Sequence, residues 1–190
     1  MKQTHTLAVQ RRSTGKSTAR SLRRMGLVPG ILYGAGITPI PIATRALALR
    51  PFLSARETHI IKVSLEEETY DCILKDTAFD PVTDALIHFD LQVVSADRPI
   101  EVEVPVVLIG TPIGVTKGGV LEHFAHFLRI ECLPSVLPEH IEVDVSAVDI
   151  GDSIHVRDLH VPNVRILEHG DTVIVTVVAP TVPEGESGGQ

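Results

Sequence analysis

Several residue types are scarce in this chain of 190 residues, and each shortage argues against one class of protein. Tryptophan is absent and only five phenylalanines and two tyrosines occur, so we expect no aromatic surface that stacks single-stranded nucleic acid. There is no run of about 18 apolar residues, and we therefore expect no membrane-spanning helix. The chain starts with polar and basic residues and has no apolar stretch near its start, so we expect no secretory signal.

Cysteine is almost as scarce as tryptophan. Cys72 and Cys132 stand alone, and neither has a second cysteine at Cys-x-x-Cys spacing. This pattern favours two reduced, buried thiols in a cytoplasmic protein over a disulfide.

Acidic residues are absent from residues 1–56, although the whole chain has 24 of them. Ten of the 17 lysines and arginines lie in this segment, so its formal charge is +10. The rest of the chain has seven basic and 24 acidic residues, a balance of −17, and the two parts add up to the net charge of −7. This asymmetry predicts a segment that binds a polyanion, joined to a region that does not.

The basic segment has the pattern of a strand, a helix and further strands. THTLAVQ alternates like a strand, and GKSTARSLRRM is typical of a helix that Ser13 or Thr14 caps and Gly26 ends. GILYGAG and PIPIAT follow as strands, the second at a sheet edge because of its prolines. TRALALRPFLSA is expected to form a second helix.

The two faces of the first predicted helix differ in character. Ala19, Leu22 and Met25 form a narrow apolar stripe. The opposite face carries four basic residues, namely Lys16, Arg20, Arg23 and Arg24. A solvated surface is one interpretation of this face, but such surfaces usually mix charges of both signs because like charges one turn apart repel. Nucleic-acid binding is the interpretation that we favour.

From Thr58 onward the pattern is that of β-structure. THIIKVSLEEETYDCILKD predicts a hairpin with a solvated tip at residues 66–68, and residues 95–99 resemble a linker. Strands at short spacing follow, among them IEVEVPVVLIG and DTVIVTVVA. Residues 183–190 have no apolar side chain to bury and are expected to be disordered. The chain is therefore expected to be mainly β with few helices, an α+β fold.

The quartet GKST resembles the end of a nucleotide-binding P-loop. That motif requires a glycine at position 10, where the chain has Gln10, and small residues where it has Arg11 and Arg12. We therefore expect no nucleotide site. The start of a helix at Gly15 nevertheless favours an anion.

Histidines provide the remaining candidate sites. His88 and Asp90 in LIHFDL would share one face of a strand, where they suit contacts with RNA but also suit an ordinary surface pair. No nucleophile accompanies them, so we expect no enzyme. His123 and His126 would lie on opposite faces of a strand-like stretch. We expect neither a metal site nor a cofactor.

A longer motif runs through the first half of the chain. The pattern R-x-x-x-G-K-x-x-x-R-x-L-R-x-x-G-x-[IV]-P-[AG]-[IV]-[IVL]-Y-G is met from Arg11 to Gly34, and K-D…P…H-x-D is met from Lys75 to Asp90. The stretch VPVVLIGTPIGVTKGGVLEH meets a further pattern, V-P…G-x-x-x-G-V…G-G-x-L. In these motifs the chain resembles the bacterial large-subunit ribosomal protein twenty-five family, in its long two-domain form known as the CTC general-stress type.

The resemblance implies a ribosomal protein that binds 5S rRNA in the central protuberance of the large subunit, next to other ribosomal proteins. It implies a small N-terminal β-barrel with helices over residues 1–94, a C-terminal all-β domain over residues 95–182 and the tail at 183–190. We expect the protein to be monomeric away from the ribosome. The RNA-binding residues implied are Arg11, Lys16, Ser17, Arg20, Arg23, Arg24, Tyr33, Lys75, His88 and Asp90.

One position departs from the family pattern. The family usually has glutamine in K-D-x-Q, and here that position is Ala78, so we do not expect the polar RNA contact of that glutamine. A different function also stays open. In that alternative the chain is a stress-related protein-interaction module, and its acidic C-terminal β domain is the main functional part.

Overall fold

The computed structural model describes residues 5–34, 36–53 and 58–180. The predicted tail at 183–190 lies outside the described residues. Within the described ranges, no helix has both the length and the apolar character needed to span a membrane.

The first half of the chain folds into a closed six-stranded barrel with the strand order β1-β3-β2-β6-β5-β4. Its elements are β1 His5–Arg11, α1 Lys16–Arg24, β2 Leu27–Gly34, β3 Ile37–Arg45, α2 Ala46–Leu49, β4 Ile60–Leu65, β5 Glu68–Phe79 and β6 Leu86–Val93. The hairpin predicted around residues 66–68 is confirmed, because β4 and β5 pair with Leu65 opposite Glu68.

Two predictions for the barrel are wrong in detail. The proline-containing strand is not an edge strand, since β3 lies between β1 and β2. Pro39 and Pro41 are tolerated because β3 pairs with β1 only through Ile42 and Ala43. The second helix is also shorter than predicted, since α2 has four residues and is followed by a 3-10 turn at Arg50–Phe52.

The second half forms two further sheets. Its elements are β7 Ile100–Ile109, α3 Ile113–Thr116, β8 Val120–His123, β9 Phe127–Cys132, β10 Ile141–Asp144, β11 Ser153–His155, β12 Arg165–Ile166 and β13 Val173–Val178. One sheet has the order β10-β7-β9-β12 and the other has the order β11-β13-β8. The prediction of a mainly β chain, with an N-terminal barrel and a β-structured remainder, is confirmed.

Two hydrophobic cores correspond to these two halves. The barrel core contains Phe89 and Leu91, and alternation along β6 directs both side chains inward. The second core contains Val104 and Ile130 from β7 and β9. Ile73, from barrel strand β5, belongs to the second core and is only 1% exposed. The predicted division between residues 94 and 95 lies in the connection between β6 and β7.

The two cysteines are buried in different cores, and no disulfide joins them. Cys72 belongs to the barrel core and Cys132 to the second core. Burial, with a smaller effect of Asp71, raises the pKa of the Cys72 thiol to about 12. The prediction that both cysteines are buried is therefore confirmed.

Candidate nucleic-acid interface

Helix α1 begins without a side-chain cap. Its N-cap residue is Gly15, with a φ of 127° that only glycine adopts readily. The Gly15 carbonyl accepts the first helical hydrogen bond, from the Ala19 N–H at 3.1 Å. The prediction that Ser13 or Thr14 caps the helix is therefore wrong.

The apolar stripe of α1 is narrower than the sequence predicts. Leu22 is the buried residue of the helix, whereas Met25 is 64% exposed. Met25 lies at the C-cap, and Gly26 with a φ of 74° then turns the chain into β2. The role of Gly26 as the helix terminator is thus confirmed. The prediction that Met25 belongs to the apolar stripe is wrong.

The basic face of α1 is exposed to solvent. Lys16, Arg20 and Arg24 are all exposed, as is Ser17, and among the described residues no acidic side chain pairs with them. Arg23 is held more firmly, because its Nε donates to the Ile87 carbonyl of β6 at 3.0 Å. This contact fixes the helix against the barrel beside His88.

Arg11 has an acidic partner that the sequence does not reveal. Its Nε lies 3.2 Å from a carboxylate oxygen of Glu66, in the β4–β5 turn that was predicted to be simply solvated. Both side chains are more than half exposed, so the pair contributes at most about 1 kcal/mol to stability. Arg11 therefore presents less free charge than the helix residues.

The outer face of β2 and β6 carries three of the predicted RNA-binding residues. Gly30 to Gly34 of β2 run parallel to Phe89 to Val93 of β6, with Tyr33 opposite Gln92. His88 Nδ1 lies 2.9 Å from Asp90 Oδ1, which confirms that the two share one face of a strand.

Tyr33 lies in a negatively charged environment. Burial raises the pKa of its hydroxyl, and the carboxylates of Asp90 and Asp76 raise it further. Asp76 of β5 is directly opposite Asp90 of β6. The phenol, which is protonated at neutral pH in any case, therefore stays a hydrogen-bond donor to higher pH than an ordinary tyrosine.

Lys75 sits at a bulge in β5. Leu74 and Asp76 are opposite the consecutive residues Leu91 and Asp90, so Lys75 is the extra residue of the strand. Its Nζ donates to the Glu101 carbonyl of β7 at 2.8 Å. The bulge thus directs Lys75 toward the second half of the molecule and away from α1.

A cleft of about 620 Å³ separates the outer face of the barrel from strands β7 and β9. Tyr33, Lys75 and Asp90 line its barrel side. Glu101 and Glu103 of β7 are among the residues of the opposite side. The predicted site therefore divides into an exposed helix face and a group of residues inside an acidic cleft.

The basic residues of the second half are mostly neutralised within the structure. Residues 95–180 contain five basic and 13 acidic side chains. Four of the five basic residues pair with acids, in the pairs Lys117–Asp149, Arg129–Glu168, Arg157–Asp171 and Arg165–Glu131. The surface charge that remains is negative.

The histidines near β8 do not behave as predicted. The rings of His123 and His126 are in contact, with centroids 4.2 Å apart, because the chain turns after β8 instead of continuing as a strand. The prediction that they lie on opposite faces is wrong. No group of three potential metal ligands occurs among the described residues.

Comparison with known proteins agrees with this architecture. Residues 7–91 match the sequence model of the ribosomal L25p family, and residues 99–181 match that of the C-terminal domain of ribosomal protein TL5. The chain belongs to the ribosomal L25p family. This membership confirms the resemblance to the long form of the family, and it confirms the prediction that the chain is not an enzyme.

Relatives of this L25p-family chain match it over most of its length. A protein of Pelodictyon phaeoclathratiforme is 40% identical over 93% of this chain and 91% of its own, and one of Chloroherpeton thalassium is 38% identical over 95% and 94%. A protein of Carboxydothermus hydrogenoformans is 40% identical over 92% of this chain and 88% of its own. All three are named large ribosomal subunit protein bL25.

The structure of this L25p-family member shows the surroundings of two further residues, Ala78 and Arg12. Ala78, at the position where the resemblance implies a glutamine, is exposed and lies opposite His88 on the outer face of β5 and β6. Arg12, which sequence reasoning did not select, donates to backbone carbonyls of β2 and β3. Its only sequence signal is its place next to Arg11 in the acid-free segment.

Proposed function

We propose that the chain is a structural component of the large ribosomal subunit and binds 5S rRNA, in the central protuberance, through its basic N-terminal barrel. The observation that carries this proposal is the face of α1, where Lys16, Arg20 and Arg24 are exposed and have no acidic partner among the described residues. Phosphates of a folded RNA would relieve the repulsion between these charges.

The residues divide into two roles on this proposal. Cations of α1, together with Arg11 and the Ser17 hydroxyl, contact phosphates and set affinity. Tyr33, His88 and Asp90 offer donors and acceptors to base edges and 2′-hydroxyl groups, and so set specificity. The role of Lys75 is intermediate between these two, because its ammonium group already donates a hydrogen bond to the Glu101 carbonyl.

Binding of the full chain to 5S rRNA at several salt concentrations tests the proposal. We expect log K to fall linearly with log salt by about 0.7–0.9 for each phosphate neutralised. Arg20→Ala should weaken binding to all RNAs alike, whereas Asp90→Ala should reduce the preference for 5S rRNA over an unrelated RNA. Binding that does not depend on salt would contradict the proposal.

The uncompensated acids of the second half favour a second candidate function. In this alternative the chain is a stress-related protein-interaction module, and the C-terminal β domain does the essential work. Replacing Glu101, Glu103 and Glu142 by glutamine would abolish association with the large subunit if the alternative holds. Retained association would favour the RNA-binding barrel.

Location and assembly follow from the same proposal. A component of the large subunit would work in the cytoplasm as part of the ribosome, next to neighbouring ribosomal proteins. We also propose that the chain is monomeric away from the ribosome. Sedimentation of the free protein at several concentrations checks this, and a concentration-dependent dimer would contradict it.

A further inference from the structure

Arg12 is held in place by three backbone carbonyls from three parts of the barrel. Its Nε donates to Ile42 of β3 at 2.9 Å, one Nη donates to Gly30 of β2 at 3.2 Å, and the other donates to Ser13 at 3.3 Å. Its backbone N–H also donates to the Pro41 carbonyl at 3.1 Å. The guanidinium therefore has a fixed orientation next to the turn that leads into α1.

Arg23, in the last turn of α1, attaches the helix to strand β6. Its Nε donates to the Ile87 carbonyl of β6. Gly30, the β2 residue bound by Arg12, is paired with Phe89, two residues beyond Ile87 on β6. Because two residues span at most about 7 Å and adjacent strands lie about 5 Å apart, the two acceptor residues lie within about 12 Å of each other.

The two guanidinium groups carry charge that no acidic side chain of residues 5–34, 36–53 and 58–180 neutralises. Over the described ranges, neither Arg12 nor Arg23 forms an ion pair with an acidic residue. Burial lowers the pKa of Arg12, and the charge of Arg23 lowers it further, which is the effect of a like charge close by.

Both groups keep hydrogen-bond donors for a ligand. A guanidinium has five N–H donors, so the three contacts of Arg12 leave about two and the single contact of Arg23 leaves about four. Such forks match the oxygens of a phosphate group.

We propose that Arg12 and Arg23 form a pre-oriented clamp that holds one phosphate group of the bound RNA between them. The proposal rests on the proposed RNA-binding function, and it adds Arg12 as a contact residue. It also separates this clamp from Lys16, Arg20 and Arg24, whose exposed side chains have no hydrogen bond or ion pair among the described residues. A phosphate entering the clamp meets side chains that need no further ordering, and it removes the repulsion between them.

The first experiment compares two charge-preserving substitutions by their affinity for 5S rRNA. R12K keeps the charge but loses the fork that three carbonyls orient, so we expect affinity to fall by about tenfold or more. R20K is the matched control, because Arg20 lies on the same surface and has no hydrogen bond or ion pair within the described part of the chain, and it should lose no more than about threefold. R12K combined with R23K should lose less than the product of the single losses, because both act on one clamp. Equal losses for R12K and R20K, or independent losses for R12K and R23K, would overturn the proposal.

The second experiment uses inorganic phosphate and the unmodified full chain, so it does not depend on the folding of any variant. Nitrogen-detected NMR follows the Nε–H signals of the arginines during a phosphate titration. The signals of Arg12 and Arg23 should shift together with one apparent Kd, while that of Arg20 stays in place. If they do so and 5S rRNA does not bind, the proposed function fails and the clamp stands. If 5S rRNA binds and no joint shift occurs, the clamp is wrong and the function stands.

Discussion

The two halves of the chain are built from the same kind of alternating strands but use their basic residues in opposite ways. In the barrel, Lys16, Arg20 and Arg24 project from α1 and have no acidic partner among the described residues. In the second half, four of the five basic residues of 95–180 are paired with acids. The excess of 13 acidic over five basic side chains sets the negative sign of the second half, and the ion pairs leave few of its basic residues available to an anion. The basic residues of α1 remain available.

Charge reversal on α1 should have the largest effect on this comparison. We expect the double substitution Lys16→Glu and Arg20→Glu to reduce affinity for 5S rRNA by about 10²–10³-fold, because it removes two phosphate contacts and adds repulsion. The salt slope should fall by about 1.5. Fluorescence titration at four salt concentrations measures both quantities.

The matched control reverses two basic residues of the second half. Lys117→Glu and Arg165→Glu change the net charge by the same amount, but both residues are paired within the structure. We expect affinity to change by less than about threefold, since distant exposed charges are screened by salt. Equal losses for the two double variants would show that net charge, and not the α1 face, governs binding.

Ile73 tests how independent the two halves are. It belongs to a barrel strand but is buried in the second core, so Ile73→Ala should lower the free energy of unfolding by about 2–5 kcal/mol. Because the side chain joins the two halves, we expect calorimetry to show a lower transition temperature for the second half. Leu91→Ala, inside the barrel core, is the control and should act on the barrel transition. A loss confined to the barrel in both variants would contradict the shared packing.

His123 should make the stability of the second half depend on pH. Burial lowers its pKa, and His126 lowers it further. The unfolded chain then binds more protons than the folded chain as the pH falls below 6.5, so this contribution to stability is lost toward acid. Denaturant unfolding between pH 7 and pH 5 should show a modest loss, and His123→Asn should reduce it. If the free energy of unfolding falls with pH as steeply in the variant as in the unmodified protein, another group causes the loss.

The smallest expected effect concerns Arg11. Glu66→Gln removes its exposed partner, so affinity for RNA should rise by about two- to threefold, while stability changes by less than about 1 kcal/mol. Asp149→Asn is the counterpart in the second half, where it frees Lys117. We expect no gain in RNA affinity from that change. A gain from both, or from neither, would weaken the distinction between the two surfaces.

Local patterns in the sequence predict most of the strands and the basic helix. The alternation of IEVEVPVVLIG predicts β7, and the apolar stripe predicted for α1 includes Leu22, its buried residue, although it also includes the exposed Met25. Alternation also places His88 and Asp90 on one face, as the structure shows. These features depend on neighbouring residues only, which explains why they are visible without a structure.

The features that sequence reasoning misses depend on distant contacts. The partner of Arg11 comes from another strand connection, and the carbonyls that hold Arg12 come from β2 and β3. The bulge at Lys75 is a property of two paired strands, and no local signal marks it. The two-residue strand Arg165–Ile166 is too short to show any alternation.

Cross-linking of the full chain to 5S rRNA, with the attached peptides identified by mass spectrometry, tests the contrast between the two halves most directly. The account predicts that the cross-linked peptides come from residues 11–34 and 75–92, with the α1 face strongest. Cross-links concentrated in residues 100–180 would contradict it, because they would place the RNA on the half in which most basic residues are already paired with acids.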